Sequence, residues 1–545
     1  MVEEKKLMDR ISELANIAVP VCLTFVMRKS VDIVSVIFVG HLGAHYLSAA
    51  GLASVTQNVT GNSLIIGLAG ALSTLCSQAY GAKDFTELGL WLQRALIILW
   101  CMICAPVSLL WHFSDPIFRH LGQQAEISNS SSRYLISLTP GLWAMSVSVC
   151  LQNWLHSQSN TRAIAVITFL LAVLHPAICY LYIFVFNYGY LGAAFAVSTT
   201  KVLEVVFLLI YLFGFSTVLK DTNFSWSHRC MHQWIPFLKL GIPNMMMLSE
   251  WWASEIIIFM AGSLNNPEVT VSAMSIYQSL NSICFMFPSG LSVSASTIVG
   301  NALGSGDATS AKFSTVLVPT LTLGVTTIIA GVLLTCRSVS GRIFTSNSSV
   351  VDMVSILIPI LAAYVVVDGI QASLSGILKG MGKQRFGGPI VIFSYYVVGI
   401  PMSYYLSRRP YPDWGVFGLC VGTLAGTIVH MLLYIIVVVR TDWAAEVLRV
   451  RERLSRQTFL SEPHNKKVLG DDGADLLDEA DLSDVLDELK TSSSRIGIPF
   501  SSFRWLLGIK AKESSEYELV RQYTDSLSDN SLNDDDVDEL NREIP

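Results

Sequence analysis

Most of this 545-residue chain is one pattern written twice, at a constant offset of 223 positions: Pro20 recurs as Pro243, Gly67-Leu68 as Gly290-Leu291 and Gly81 as Gly304. The run from Leu155 to Arg162 recurs as Leu378 to Arg385, sharing its end residues, and Asp32 falls opposite Glu255. A long unit repeated once must fold as two similar bodies that pack together. In membranes this is how many secondary transporters are built, with the substrate site between the halves.

Composition places the repeat in a bilayer. The chain is 52% hydrophobic and 14% charged, with a mean hydropathy of +0.51, far more apolar than a water-soluble protein of this length requires. Apolar stretches long enough to cross a ~30 Å hydrocarbon core as helix occur near 14–39, 47–70, 90–112, 132–156, 163–186, 190–214, 236–262, 270–293, 313–336, 351–376, 387–407 and 414–440. Backbone in lipid must satisfy its own hydrogen bonds, so each is read as a helix. The expectation is an all-α polytopic membrane protein of twelve helices in two six-helix lobes, 1–220 and 221–440.

Charge sets the orientation. With both termini in the cytosol, 14 Lys/Arg fall on that side, among them Lys5, Lys83, Lys383 and Arg440, against six outside, including Arg119, Arg337 and Arg408; this follows the positive-inside rule. The sequons at Asn129 and Asn347 then lie on the non-cytosolic side. MVEEKKLMDR has no apolar signal core, so the first span is expected to direct insertion itself. Cys101 and Cys104 form a CxxC inside an apolar helix and are read as packing residues. The ten His show no metal-ligand spacing, and no hydrolase motif or phosphate loop is present, so neither an enzyme, a metal site nor a nucleic-acid partner is expected.

Beyond Arg440 the composition changes. Residues 441–545 hold 24 acidic and 13 basic residues and are read as a largely disordered cytosolic tail. Phe500 to Lys510 could lie on the membrane surface, and Asp472 to Leu477 and Tyr517 to Val520 have the shape of sorting signals for trafficking adaptors.

Five acids stand inside apolar spans: Asp32, Glu204, Glu250, Glu255 and Asp368. A carboxylate at a helix centre costs ~2.5–3.5 kcal/mol on insertion scales, so such acids face a partner or a cavity. Lys201 lies one turn from Glu204, and Arg28 one turn from Asp32, so two local ion pairs are expected. Glu250, Glu255 and Asp368 have no local cation. A low-dielectric cavity disfavours the charged form, which makes these three candidates to bind and release protons. Five residues of helix turn through about 500°, so Glu250 and Glu255 cannot both face one cavity unless the helix bends. Trp251 and Trp252 offer faces for a ligand cation, and Tyr277, Gln278 and Asn281, within about one turn, could line the same cavity with Asp32.

ALSTLCSQAYGAKD at 71–84, LSEWWASEIIIFMAG at 248–262, FPSGLSVSASTIVGNALGSGD at 287–307, DGIQASLSGILKGMGKQ at 368–384 and YYVVGIP at 395–401 together resemble the eukaryotic branch of the multidrug and toxic compound extrusion transporters. The resemblance covers residues 11–440. It implies two lobes forming a V, a central cavity open to one side at a time, and antiport of a proton, or Na⁺ in some prokaryotic members, against an organic substrate. By the same resemblance Glu250 and Glu255 match the two acids of the seventh-helix motif and Asp368 the acid of the tenth helix, the positions used for cation coupling. The chain departs from the pattern at Ser73, where the family usually has an acid, and in the first span, which carries Arg28, Lys29 and Asp32.

The function expected is proton-driven export of organic compounds, foremost organic cations, across the plasma membrane or into an acidic organelle, with no cofactor. The alternatives are an exporter of organic anions such as citrate or phenolic conjugates, with Arg28 and Lys29 in the cavity, a lipid-linked precursor flippase, and a non-transporting sensor whose output is the tail.

Overall fold

The computed structural model describes residues 2–222, 225–409 and 414–461. It is helical, with no strand among the described residues. Residues 1–454 form one compact unit, past the change of composition at Arg440. The second unit, 455–545, is described only for Ser455–Ser461, the end of a helix; both sorting-signal segments and Phe500 to Lys510 lie outside the described residues.

The first lobe contains α1 (Val2–Gly40), α2 (His45–Gly81), α3 (Phe85–His112), α4 (Ala125–Ser157), α5 (Arg162–Val185) and α6 (Leu191–Phe215). The second contains α7 (Trp234–Met247), α8 (Ser249–Ala261), α9 (Pro267–Ser305), α10 (Ala308–Thr335), α11 (Ser348–Met381), α12 (Gln384–Ser407) and α13 (Gly415–Val439). A further helix, α14 (Trp443–Ser461), follows.

The repeat governs where helices begin. Asp84 caps α3 by accepting from the Glu87 N–H (3.1 Å), and its mate Asp307 caps α10 by accepting from the Ser310 N–H (2.8 Å). A side-chain oxygen there satisfies an N–H that the helix cannot. The Ser310 hydroxyl and backbone hold the Asp307 carboxyl below the usual carboxylate range.

Among the described residues, ten helices are long and apolar enough to span a membrane, and the first and seventh expected spans are not among them. The seventh is interrupted at Leu248, leaving pieces of 14 and 13 residues. Tight bonds from the Leu248 N–H to the Met245 carbonyl and from the Trp251 N–H to the Leu248 carbonyl mark the break.

The lobes meet through glycines that obey the same two-fold relation as the sequence. A Cβ on Gly81 would lie 2.2 Å from the Asn301 carbonyl oxygen, and one on Gly304 would lie 2.1 Å from that of Gln78; the offset exchanges the two contacts. Gly67 against Met245 and Gly290 against Cys22 are a second such exchanged pair. Only residues without a side chain let α2 and α9 approach backbone to backbone. Polar bonds complete this end: Thr74 donates to the Lys379 carbonyl (2.5 Å), Gln78 to the Gly380 carbonyl (2.9 Å) and Gln384 to the Thr74 hydroxyl (2.6 Å). The lobes are therefore joined at the end that carries the 81–85 and 381–384 turns. Between the lobes, Gln93 of α3 holds the connecting segment through the Ser225 carbonyl (2.7 Å) and the Ser227 N–H (3.0 Å).

Candidate functional site: a carboxyl pair in the second lobe

The break at Leu248 puts Glu250 in the first turn of α8, where unsatisfied N–H groups favour negative charge. Its carboxylate receives the Gln371 amide of α11 (3.2 Å), and the same amide lies 3.3 Å from His430 Nε2 of α13. His430 Nδ1 stands 3.8 Å from the Glu250 carboxylate. Asp368, one turn before Gln371, is buried and close enough to Glu250 for the two charges to interact. Behind them, Tyr395 lies 3.2 Å from Thr427 and edge-on to His430. Tyr395 and Tyr396 sit on a π-helical stretch of α12, Phe393–Gly399, and Tyr396 donates to the Ser249 carbonyl at the break (3.0 Å). Such π-helical turns recur at functional sites.

Beside this pair, Gln371 Oε1 and His430 Nδ1 are buried without a hydrogen-bond partner among the described residues. Buried polar atoms are normally paired, so unpaired ones gathered round two carboxyls give this pocket capacity for a proton, a water or a polar ligand group. Chemically, two acids in one buried site cannot both carry charge cheaply.

Of the residues singled out from sequence, Glu250 and Asp368 are brought together. Glu255 is exposed, on another face of α8; the helix breaks before Glu250, not between the two glutamates, so their divergence persists. Trp251 is exposed and Trp252 half-buried with its indole N–H unpaired. Tyr277 is buried within electrostatic reach of Asp368, with Asn281 one turn on and Gln278 half-buried. Asp32 is exposed on α1. Gln371 and His430 were not foreseen. Gln371 was signalled only by its place one turn from Asp368, and His430 only by being a histidine in an otherwise apolar span.

The first lobe carries fixed charge on the corresponding helices, α1, α4 and α6. Arg28 bonds Glu204 (2.8 Å) and Gln152 (2.5 Å), Gln152 donates to Glu204 (2.8 Å), and Lys201 lies 3.3 Å from the same carboxylate. The Lys201–Glu204 pair is as expected, but the expected Arg28–Asp32 pair does not form. Glu204 is buried and a buried carboxylate without full pairing is costly, so Arg28 serves it rather than the exposed Asp32.

Residues 20–181 and 244–405 match the MatE family model, one match in each lobe. Among similar proteins of Arabidopsis thaliana, Protein DETOXIFICATION 37 is 33% identical over 83% of this chain and 89% of its own, and Protein DETOXIFICATION 16 is 31% identical over 84% and 94%. The crystal structure of the eukaryotic MATE transporter AtDTX14 superposes with a TM-score of 0.77 at 30% identity, over 82% of this chain and 99% of that one. An outward-facing multidrug resistance MATE transporter shares the fold at 17% identity, with a TM-score of 0.70 over 82% and 96%.

Proposed function

From the premise that the chain belongs to the MATE family of membrane transporters, we propose that it exports small organic compounds in exchange for protons, with Glu250 and Asp368 as the coupling pair. The observation that carries this reading is the Glu250–Gln371–His430 cluster with Asp368 beside it. A single proton relieves the repulsion between the two carboxyls. So does the cationic group of an organic substrate, and the two therefore compete. Protonation from the acidic side weakens the hold on the substrate and favours whichever lobe arrangement has the higher proton affinity. A ligand moves such an equilibrium only through its differential affinity for the two states.

The termini are assigned to the cytosol by the Lys/Arg bias. The end closed by Gly81, Gly304 and Gln78 is then the cytosolic one, and the conformation is outward-facing. The membrane would be the plasma membrane or that of an acidic organelle, with the tail's sorting signals directing delivery. Glu255 and Asp32 would face the passage, as exposed acids within a bilayer must, and act on substrate approach rather than on coupling.

The test is uptake of a radiolabelled organic cation by proteoliposomes under an imposed pH gradient. Glu250→Gln, which keeps the shape and the Gln371 contact but cannot titrate, should abolish pH-driven transport while leaving exchange of substrate for substrate. Wild-type pH-driven rates in Glu250→Gln would remove Glu250 from the coupling step.

A further inference from the structure

His430 of α13 is 0% exposed, with the Tyr434 and Tyr395 rings edge-on at 4.2 and 5.6 Å between centroids. These rings hold the imidazole in place, and its hydrogen bonds say where its proton sits. A carboxylate only accepts, so the part of Gln371 turned to Glu250 is the amide nitrogen. The same nitrogen meets His430 Nε2 at 3.3 Å, and an NH₂ group has a proton for each contact. Nε2 is then the accepting nitrogen, which puts the proton of the neutral imidazole on Nδ1.

That Nδ1–H has no hydrogen-bond partner among the described residues, a costly state for a buried donor. It stands 3.8 Å from the Glu250 carboxylate, about 1 Å too far for a good bond. Glu250 lies in the first turn of α8, just after the break at Leu248, where a small rotation of the short helix would close the gap. Closure would tie α8 to α13 beside its existing bond to α11. The other groups within electrostatic reach of Glu250 are Asp368, Tyr364 and Lys379 of α11, Tyr395 of α12 and Tyr434 of α13. Asp368 opposes a charge on Glu250, while Lys379 and the Tyr395 hydroxyl favour it. All five stay in place when residue 430 alone is changed.

Resting on the coupling reading above, we propose that His430 is a positioning residue for that reaction. Its Nδ1–H closes on Glu250 while the carboxylate is charged and lets go once the carboxylate is protonated, so His430 sets the pH at which proton and substrate exchange. A donor bonded to the charged form favours that form, and a hydrogen bond to an ionised acceptor is of the stronger kind. The hold on an organic cation therefore persists to lower pH with this bond than without it. Arrival of the proton releases α8 from α13 beside the break, so the step that discharges substrate also loosens the helix that carries Glu250.

The test moves the donor from one ring position to the other. In His430→Asn the side-chain amide nitrogen can take the place of Nδ1. In His430→Gln the amide stands where Nε2 was, against Gln371, and no donor faces Glu250. Binding of radiolabelled tetraphenylphosphonium, whose charge does not change with pH, is measured by equilibrium dialysis on the purified full-length protein from acid to alkaline pH. Wild type should bind above a midpoint and release below it. His430→Asn should keep that midpoint, and His430→Gln should raise it by about one pH unit, a tenfold change in proton affinity. Equal midpoints in all three proteins would overturn the proposal. So would equal shifts in the two variants, or loss of binding by both at every pH, which would mark His430 as a packing residue. Glu250→Gln tells this failure from failure of the coupling reading. If Glu250→Gln keeps the wild-type midpoint, the coupling reading falls and the role of His430 with it. If Glu250→Gln loses that midpoint while His430→Gln keeps it, the role of His430 alone falls.

Discussion

At the scale of single residues, Glu250 and Asp368 are argued to share one proton-accepting function across α8 and α11, with the Gln371 amide fixing Glu250. Groups that act as one unit are not additive when removed. Asp368→Asn should therefore lose pH-driven transport about as fully as Glu250→Gln, and the double variant should be no slower than the worse single one. Losses that multiply in the double variant, measured as initial rates in proteoliposomes, would show two independent roles. The first lobe supplies a second residue-scale prediction. Arg28→Gln leaves the buried Glu204 with Lys201 alone, and Glu204→Gln leaves two cations without their carboxylate. Breaking a buried pair from one side costs about 3–5 kcal/mol, so each single variant should melt lower in detergent than the Arg28→Gln/Glu204→Gln double. A double variant less stable than both singles would contradict the pairing.

Among elements, α14 changes the account most. Glu446, Val447, Val450 and Leu454 form its buried stripe, at the spacing of one helix face. Glu446 pairs with Lys383 (2.9 Å) and with Arg449, fixing the helix to the second lobe. Arg453 reaches Gln78 of the first lobe (2.9 Å) while packing on Gly382, whose left-handed φ of +76° ends α11. Arg451 lies against Gly306. The helix thus braces the end where α2 and α9 touch. Truncation after about residue 455 should leave hydrogen exchange in 71–81 and 296–305 unchanged, whereas truncation after Thr441 should raise it several-fold and favour the other lobe arrangement. Equal exchange in the two truncated proteins would show that α14 is only a passenger.

Over the whole molecule, what could be read from sequence was what repeats or what is costly. The offset carried the lobe layout, down to the paired caps at Asp84 and Asp307. Acids in apolar spans declared themselves because lipid penalises them, and two of them proved to be neighbours. Partners on other helices were not legible. Spacing along α1 pointed Arg28 to Asp32, whereas the folded lobe offered Glu204, 176 positions away. The break at Leu248 and the docking of α14 also escaped, since the first depends on packing around LSEWW and the second on a stripe too short to read as a span.

Proton antiport through alternating lobes is the central claim, and its most direct test reverses the usual experiment. Proteoliposomes holding the full-length protein and a lumenal pH dye are loaded with an organic cation and diluted into substrate-free buffer at equal pH, with membrane potential clamped. The account predicts that substrate efflux drives protons inward and acidifies the lumen, and that Glu250→Gln vesicles show no acidification. Substrate leaving wild-type vesicles at full rate with no change of lumenal pH would contradict it.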